Sequence, residues 1–334
     1  MLERTSTRAA GLILGTLLLL AAFGASVVLG TTEIAPLTAL EAITDYDGGR
    51  VSHIIILSER LPRAVIATLT GASLAVAGAL MQTMTRNPLA SPSILGINAG
   101  AMFFVVVAVS LLPLHTPGQY VWAALLGALV AALAVVALSH GRRGELSPLR
   151  VVLAGVAVTA MFVSFSQGLL IIDQQSFESV LYWLAGSVSG RELELVVPLL
   201  PLFALALAIT AALARQANAL LLGDDMVTGL GMRAGTLKLA LGLCVILLAG
   251  SSVALAGMIG FVGLIVPHMA RGLVGIDHRW LLPACALLGA TLLLVADIAS
   301  RFLMAPQEIP VGVMTALIGT PFFIYLARKK QVSA

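Results

Sequence analysis

Charge is the scarcest property of this chain. Of its 334 residues only 10% are Asp, Glu, Lys or Arg, against about 25% in a soluble globular domain. That leaves too little polar surface to cover a water-soluble fold and argues for a polytopic membrane protein. Cysteine is nearly absent. Cys244 and Cys285 each sit inside an apolar run, so no disulfide framework or cysteine metal pair is implied, and both read as small core residues. Catalytic patterns are missing as well: there is no G-x-x-x-x-G-K-[ST] phosphate loop, no G-x-S-x-G, no H-E-x-x-H and no carboxylate pair inside an apolar span. An intramembrane enzyme has nothing here to work with, and ATP cannot be bound by the phosphate-loop route. His268, in VPHMAR, has no second His, Cys or carboxylate at ligand spacing, so no metal site is expected. The alternating segments of about 10 residues that mark a β-barrel are also missing.

What is present is 59% hydrophobic residues, gathered in runs near the roughly 20 residues a membrane helix needs. The runs predict an all-α chain with about ten spans, near 11–30, 61–83, 93–112, 119–138, 149–172, 195–214, 236–256, 259–276, 281–304 and 311–327. With the N-terminus in the cytoplasm, the outer side keeps only Arg50, Arg60, Arg63, Arg191 and Arg301 of the 19 basic residues. That bias puts both termini inside. The net charge of +3 then reflects topology. Basic residues scattered over several short loops make nucleic acid an unsuitable partner.

An internal repeat gives the first pointer to function. Residues 71–78 read GASLAVAG and residues 250–257 read GSSVALAG, with five of eight positions identical. Pro88 and Pro267 come after them at the same offset of 179. The octads fall in the second and seventh spans, so they cross in opposite directions. Inverted repeats are a transporter signature. Residues 1–334 thus read as one transmembrane domain with inverted halves near 61–172 and 236–327.

Four polar regions interrupt the spans. Residues 31–60 form an outer surface segment with a short helix near 36–43. In 84–100, Pro88 and Pro92 preclude one continuous helix, while Gly96 and Gly100 permit close helix approach. Residues 173–194 form either an outer gate or an interfacial helix anchored by Tyr182 and Trp183. Residues 215–235 form an inner loop long enough to carry its own helix, started by Asp224 and Asp225 and ended by Gly229 or Gly231.

Several stretches in order resemble one family. They are RLPR (60–63), GASLAVAGALMQTMTRNPLASPSILGINAG (71–100), YWLAGSVSGR (182–191), LLLGDDMVTGLGM (220–232), GFVGLIVPHMAR (260–271), LLPACALLGATLLLVADIASR (281–301) and EIPVGVMTALIGTPFFI (308–324). Together they look like the FecCD-type membrane permease of ABC importers for iron–siderophore complexes and vitamin B12. The wording of 87–100 is similar to ferric citrate permeases in particular. The resemblance implies ten helices per subunit and a second permease, identical or sibling, with a path between the two. It also implies two cytoplasmic ATPase subunits using ATP and Mg, a periplasmic or lipid-anchored binding protein, an iron chelate as cargo, and the bacterial inner membrane as the location. No cofactor is expected on this chain itself.

Site residues fall into three groups. Arg60, Arg63 and Arg301 lie on the outer side, and a guanidinium binds carboxylate as a bidentate fork. In the resemblance, the matching positions receive acidic residues of the binding protein. The alternative is local pairing, Asp297 with Arg301 and Glu59 with Arg60, contributing only about 0–1 kcal/mol each if exposed. Gly223, Asp224, Thr228, Gly229 and Gly231 match the coupling helix that seats in the ATPase. For a translocation path the polar residues are Gln82, Asn87, Ser91, Ser93 and Asn98, with Thr159, Ser164, Ser166 and Gln167 in the fifth span. Each of these reads equally as an interhelical hydrogen bond. An ion-coupled secondary transporter remains the rival reading, but it wants ionisable groups deep in the membrane. Only Asp297 offers itself, and it lies near a span end. Vitamin B12 or haem remain as alternative cargoes.

Overall fold

The computed structural model describes residues 5–111, 117–139, 148–172, 183–304 and 307–331. Among these the chain is helical, without a strand. In order the helices are α1 (Thr5–Val28), α2 (Pro36–Thr44), α3 (Val51–Ile55), α4 (Leu61–Thr85), α5 (Ile97–Leu111), α6 (Pro117–Ser139) and α7 (Pro148–Ile172). After these come α8 (Leu200–Ala212), α9 (Ala214–Leu220), α10 (Asp224–Gly229), α11 (Ala234–Ala256), α12 (Val262–Val274), α13 (His278–Phe302) and α14 (Val311–Gln331). Among the described residues, seven stretches are long and apolar enough to cross a bilayer, and three shorter apolar helices (α5, α12 and the Val311–Ile324 part of α14) bring the set to ten. The expected helix count is met.

Residues 51–60 differ from expectation. They continue α4 outward instead of lying as a surface loop, through a π turn at Ile56–Arg60. Pro62 explains the turn: it has no N–H to give the Ser58 carbonyl, so the ladder reopens at i→i−5, with Leu61 N–H donating to Ile56 O. This turn aims Arg60 inward.

α4 is the central helix, buried along most of its length, whereas α1 is largely exposed. Small residues let backbones touch. A Cβ on Gly71 would lie 2.3 Å from Gly289 O of α13, and one on Gly78 would lie 1.9 Å from Gly263 O of α12. Gly100 and Gly127 bring α5 and α6 together in the same way. The first octad thus packs backbone against backbone, whereas Gly250 of the second meets only side chains.

α4 and α11 run antiparallel, since Gly242 near the start of α11 faces Met84 at the end of α4. The two octads are not structural copies, however. The first lies wholly inside α4, while the second ends its helix at Gly257, φ +72°. The residues after each octad account for the difference. Ala79-Leu80-Met81-Gln82 continues the helix, whereas Gly260 and Gly263 after the second octad weaken it. The break at 257–261 is filled by residues 183–190: Ser187 N–H donates to Ala256 O, and Gly312 N–H donates to Gly186 O. Irregular backbone inside a bilayer requires such protein cover.

Candidate functional site

At the predicted outer end, the last carbonyls of α1 need donors, because a helix leaves its final four C=O groups unsatisfied. α1 has no basic residue in its last turn. Arginines from two other helices serve instead. Arg301 donates to Ser26 O (2.7 Å) and Leu29 O (2.6 Å), and Arg60 donates to Val27 O (3.2 Å) and Thr32 O. Their positive charge also opposes the negative end of the α1 dipole.

Arg63 sits beside them. Its Nε donates to Asp297 Oδ1 at 2.7 Å and its Nη1 to Glu308 Oε2 at 2.7 Å. Asp297 gives its other oxygen to Arg301. One fully buried carboxylate therefore joins two guanidinium groups from α4 and α13, and Glu308 ties them to the start of α14. Burial is 5% exposure for Arg60, 8% for Arg63 and 2% for Arg301.

This corrects the picture of free arginine forks standing out from the surface, and equally the picture of weak exposed pairs. Asp297 and Arg301 do pair, at 0% and 3% side-chain exposure. Arg60, Arg63 and Arg301 instead line a cavity of about 420 Å³ with Glu59, Glu308 and Ser189. Arg63 and Arg301 hold carboxylates of this chain, whereas Arg60 is bonded to carbonyls alone, so a partner's carboxylate reaching Arg63 would have to compete with Glu308. Arg50, by contrast, is exposed and held by Glu41 and Asp47.

Trp183 is buried, with its carbonyl against Gly257, and so does not face an interface. Tyr182 and the rest of 173–182 lie outside the described residues.

At the opposite end, α10 forms where expected. Gly223 (φ +110°) and Gly231 (φ +78°) supply the backbone that an L-residue adopts only with strain. Thr228 donates back to Asp224 O, and Gly229 closes the helix. Asp224 is pinned rather than free: Lys238 Nζ lies 2.5 Å from Oδ2 and Arg86 Nη2 lies 3.4 Å from Oδ1. Leu222, Met226 and Leu230, before, within and after α10, are 64%, 54% and 62% exposed. Such apolar residues on a polar loop are legible in the sequence, yet none of the three belongs to the set expected for coupling. Arg86 and Lys238 left no sequence signal, because they come from other elements.

A buried polar chain braces this end. Thr83 Oγ1 meets His278 Nε2 at 2.7 Å, His278 Nδ1 meets Asn218 Oδ1 at 2.6 Å, and Asn218 Nδ2 donates to Asp277 Oδ1 at 2.9 Å. The Arg279 guanidinium, with help from Asn218, holds the Asp277 carboxyl well below the usual carboxylate range.

The path residues divide. Gln82 is buried, donates to Gly263 and Leu264 carbonyls and accepts from Arg271, so it braces α4 against α12. Ser166 is buried and bonded to Phe162 O. Asn87 closes its own turn by accepting from Leu89 N–H, and Asn98 donates to Ser93. Ser91 is half-buried and Ser93 exposed. Thr159 packs beside Gly96, which brings the two clusters together at that point. Ser164 and Gln167 are exposed on α7, on a face shared with Ala157, Ala160 and Gly168. His268 packs edge-on against Phe322 at 5.9 Å, and Arg271 anchors α12 to Gln82.

Among the described residues, ten apolar helices packed through small faces around a covered break define a multi-pass membrane protein. The chain belongs to the FecCD transport family, whose model matches residues 18–329. It is 50% identical over 313 residues, 93% of each chain, to the "Probable siderophore transport system permease protein YfiZ" of Bacillus subtilis (strain 168). It is 40% identical to the same organism's Fe(3+)-citrate import system permease protein YfmD, over 98% of this chain and 97% of that one. A solved inward-facing structure described as of the metal-chelate ABC transporter type superposes with a TM-score of 0.83 at 29% identity, covering 96% of this chain and 99% of that chain. The chain is a permease subunit of an ABC importer and not the ATPase.

Proposed function

We propose that this chain carries an iron(III) chelate of the siderophore class inward across a bacterial cytoplasmic membrane, with both termini in the cytoplasm. The supporting observation is the 50% identity, over nearly the whole chain, to a permease named for siderophore transport. Identity to the citrate permease is lower, so citrate is the second cargo to try. The exposed face of α7, where Ser164, Gln167 and Gly168 lie among Leu153 and Ile171, is where a second permease, identical or sibling, would close the path. The opposed octads in antiparallel α4 and α11 support two inverted halves. ATP and Mg are used by the partner ATPase.

The test is reconstitution in vesicles with the ATPase and the binding protein. Uptake of iron(III)-citrate and iron(III)-hydroxamate probes is compared with and without ATP. ATP-dependent uptake of at least one is expected. Accumulation driven by a proton gradient with no ATPase present would overturn the reading in favour of a secondary transporter.

In this reading the mouth formed by Arg60, Arg63 and Arg301 accepts carboxylates of the binding protein. Docking then competes with Glu308 for Arg63, which would loosen the tie between α4 and α14. The segment Gly223–Gly231 seats in the ATPase, with Leu222, Met226 and Leu230 as the contact. Apolar side chains buried fully in such a cleft contribute about 1.5–3 kcal/mol each. Met226→Glu with Leu230→Glu is therefore expected to abolish co-purification of the ATPase while leaving the permease inserted. Unchanged co-purification and uptake would remove α10 from the interface.

A further inference from the structure

The coupling reading explains what α10 touches but not what it pulls. We infer that Arg86 and Lys238 are positioning residues that hand the movement of α10 to the two octad helices through the single carboxylate of Asp224. The inference rests on that coupling reading and adds to it the route into the bundle.

The geometry is specific. Asp224 is the first residue of α10, and each of its oxygens is taken by a different helix. Lys238 reaches Oδ2 from the first turns of α11, and Arg86 reaches Oδ1 from just past the end of α4. Lys238 is 7% exposed, so its ammonium group has been taken largely out of water toward this one acceptor. Arg86 holds a left-handed backbone, φ +50°, the conformation of a helix terminator, which is uncommon for a residue with a side chain. Its Nη1 lies 3.4 Å from where a Cβ on Gly223 would stand, so a side chain there would crowd the guanidinium.

The two helices so joined are the ones whose motion matters most. α4 packs backbone to backbone through Gly71 and Gly78 on α13 and α12, and Gly250 of α11 meets the Leu125 and Ala128 side chains of α6. Close packing ties each helix to its neighbours, so a displacement applied at Asp224 reaches both halves. A second anchor, Asn218 in α9 to His278 and through it to Thr83, lies four residues or more before α10 and holds the other end of the segment to α13 and α4. With two anchors the segment turns as a lever instead of bending as a free loop.

The experiment uses the whole assembled transporter and measures uptake of whichever probe, iron(III)-hydroxamate or iron(III)-citrate, the parent carries, per ATP hydrolysed. Lys238→Met is expected to keep the ATPase bound and hydrolysing while uptake per ATP falls about tenfold, and Lys238→Arg to restore it to within about twofold. Arg86→Gln, at a half-exposed side chain with little fold to lose, is expected to lower the same ratio. Wild-type coupling in both Lys238→Met and Arg86→Gln would overturn the inference, and so would a loss of ATPase binding in both, which marks a merely structural role. Failure of the coupling reading is separately visible, since it would leave ATPase binding intact in the Met226→Glu, Leu230→Glu variant.

Discussion

Gly78→Leu is expected to destroy the folded permease, and Gly78→Ala to damage it severely. The reason is contact between backbones. Even the alanine Cβ would stand 1.9 Å from Gly263 O and 2.5 Å from Gly263 Cα. No rotamer change relieves a clash with main-chain atoms, so α4 and α12 must separate. Overpacking a core costs about 1–3 kcal/mol where side chains can move aside; here the cost exceeds that range. Separation would also pull Gln82 from the Gly263 and Leu264 carbonyls. The measurement is thermal melting and monodisperse yield in detergent, with Gly24→Ala as the control. Gly24 lies in α1 with open space around its Cβ position, so alanine there should leave stability unchanged or slightly raised, by about 0.5–1 kcal/mol of helix propensity. Equal behaviour of the two alanine variants would show that α4 does not depend on this contact.

Asp297→Asn should have the second large effect. The carboxylate is fully buried and neutralises Arg63 and Arg301 at once. Asparagine keeps the shape and one acceptor but leaves the buried Arg301 without a counter-charge and Arg63 with Glu308 alone. Removing one partner of a buried pair costs about 3–5 kcal/mol. Arg301 also holds the last carbonyls of α1, so the loss should spread to the α1–α13 contact. Limited proteolysis near residues 29–35 and a lowered melting temperature should report it. Asp297→Glu should recover only part, since the longer chain has to fit a site sealed from water. A variant that melts and digests as the parent does would show that Glu308 for Arg63 and the α1 carbonyls for Arg301 suffice.

Much of the fold was readable from residues in order. Long apolar runs have to become helices inside a bilayer, because no other local structure satisfies the backbone there. The Gly-Ser-Ala octads could be seen as packing faces, and the Gly-Asp-Asp segment as a short helix on a loop. The site was readable only in part. Arg60 looked like the end of a surface loop, but the π turn before Pro62 carries it inward. Its acceptors lie near residues 27–32, and those of Arg63 at 297 and 308. Gln82 looked like a polar lining residue until the carbonyls of 263 and 264 arrived beside it.

Composition and periodicity alone determined that this chain lives in a membrane and crosses it about ten times. Those properties come from transfer free energies summed along the chain, which need no knowledge of neighbours. Which charges are buried, which octad breaks, and which carboxylate joins α10 to the bundle were decided only in three dimensions. A polar side chain's role depends on whether a partner from a distant segment reaches it before water does.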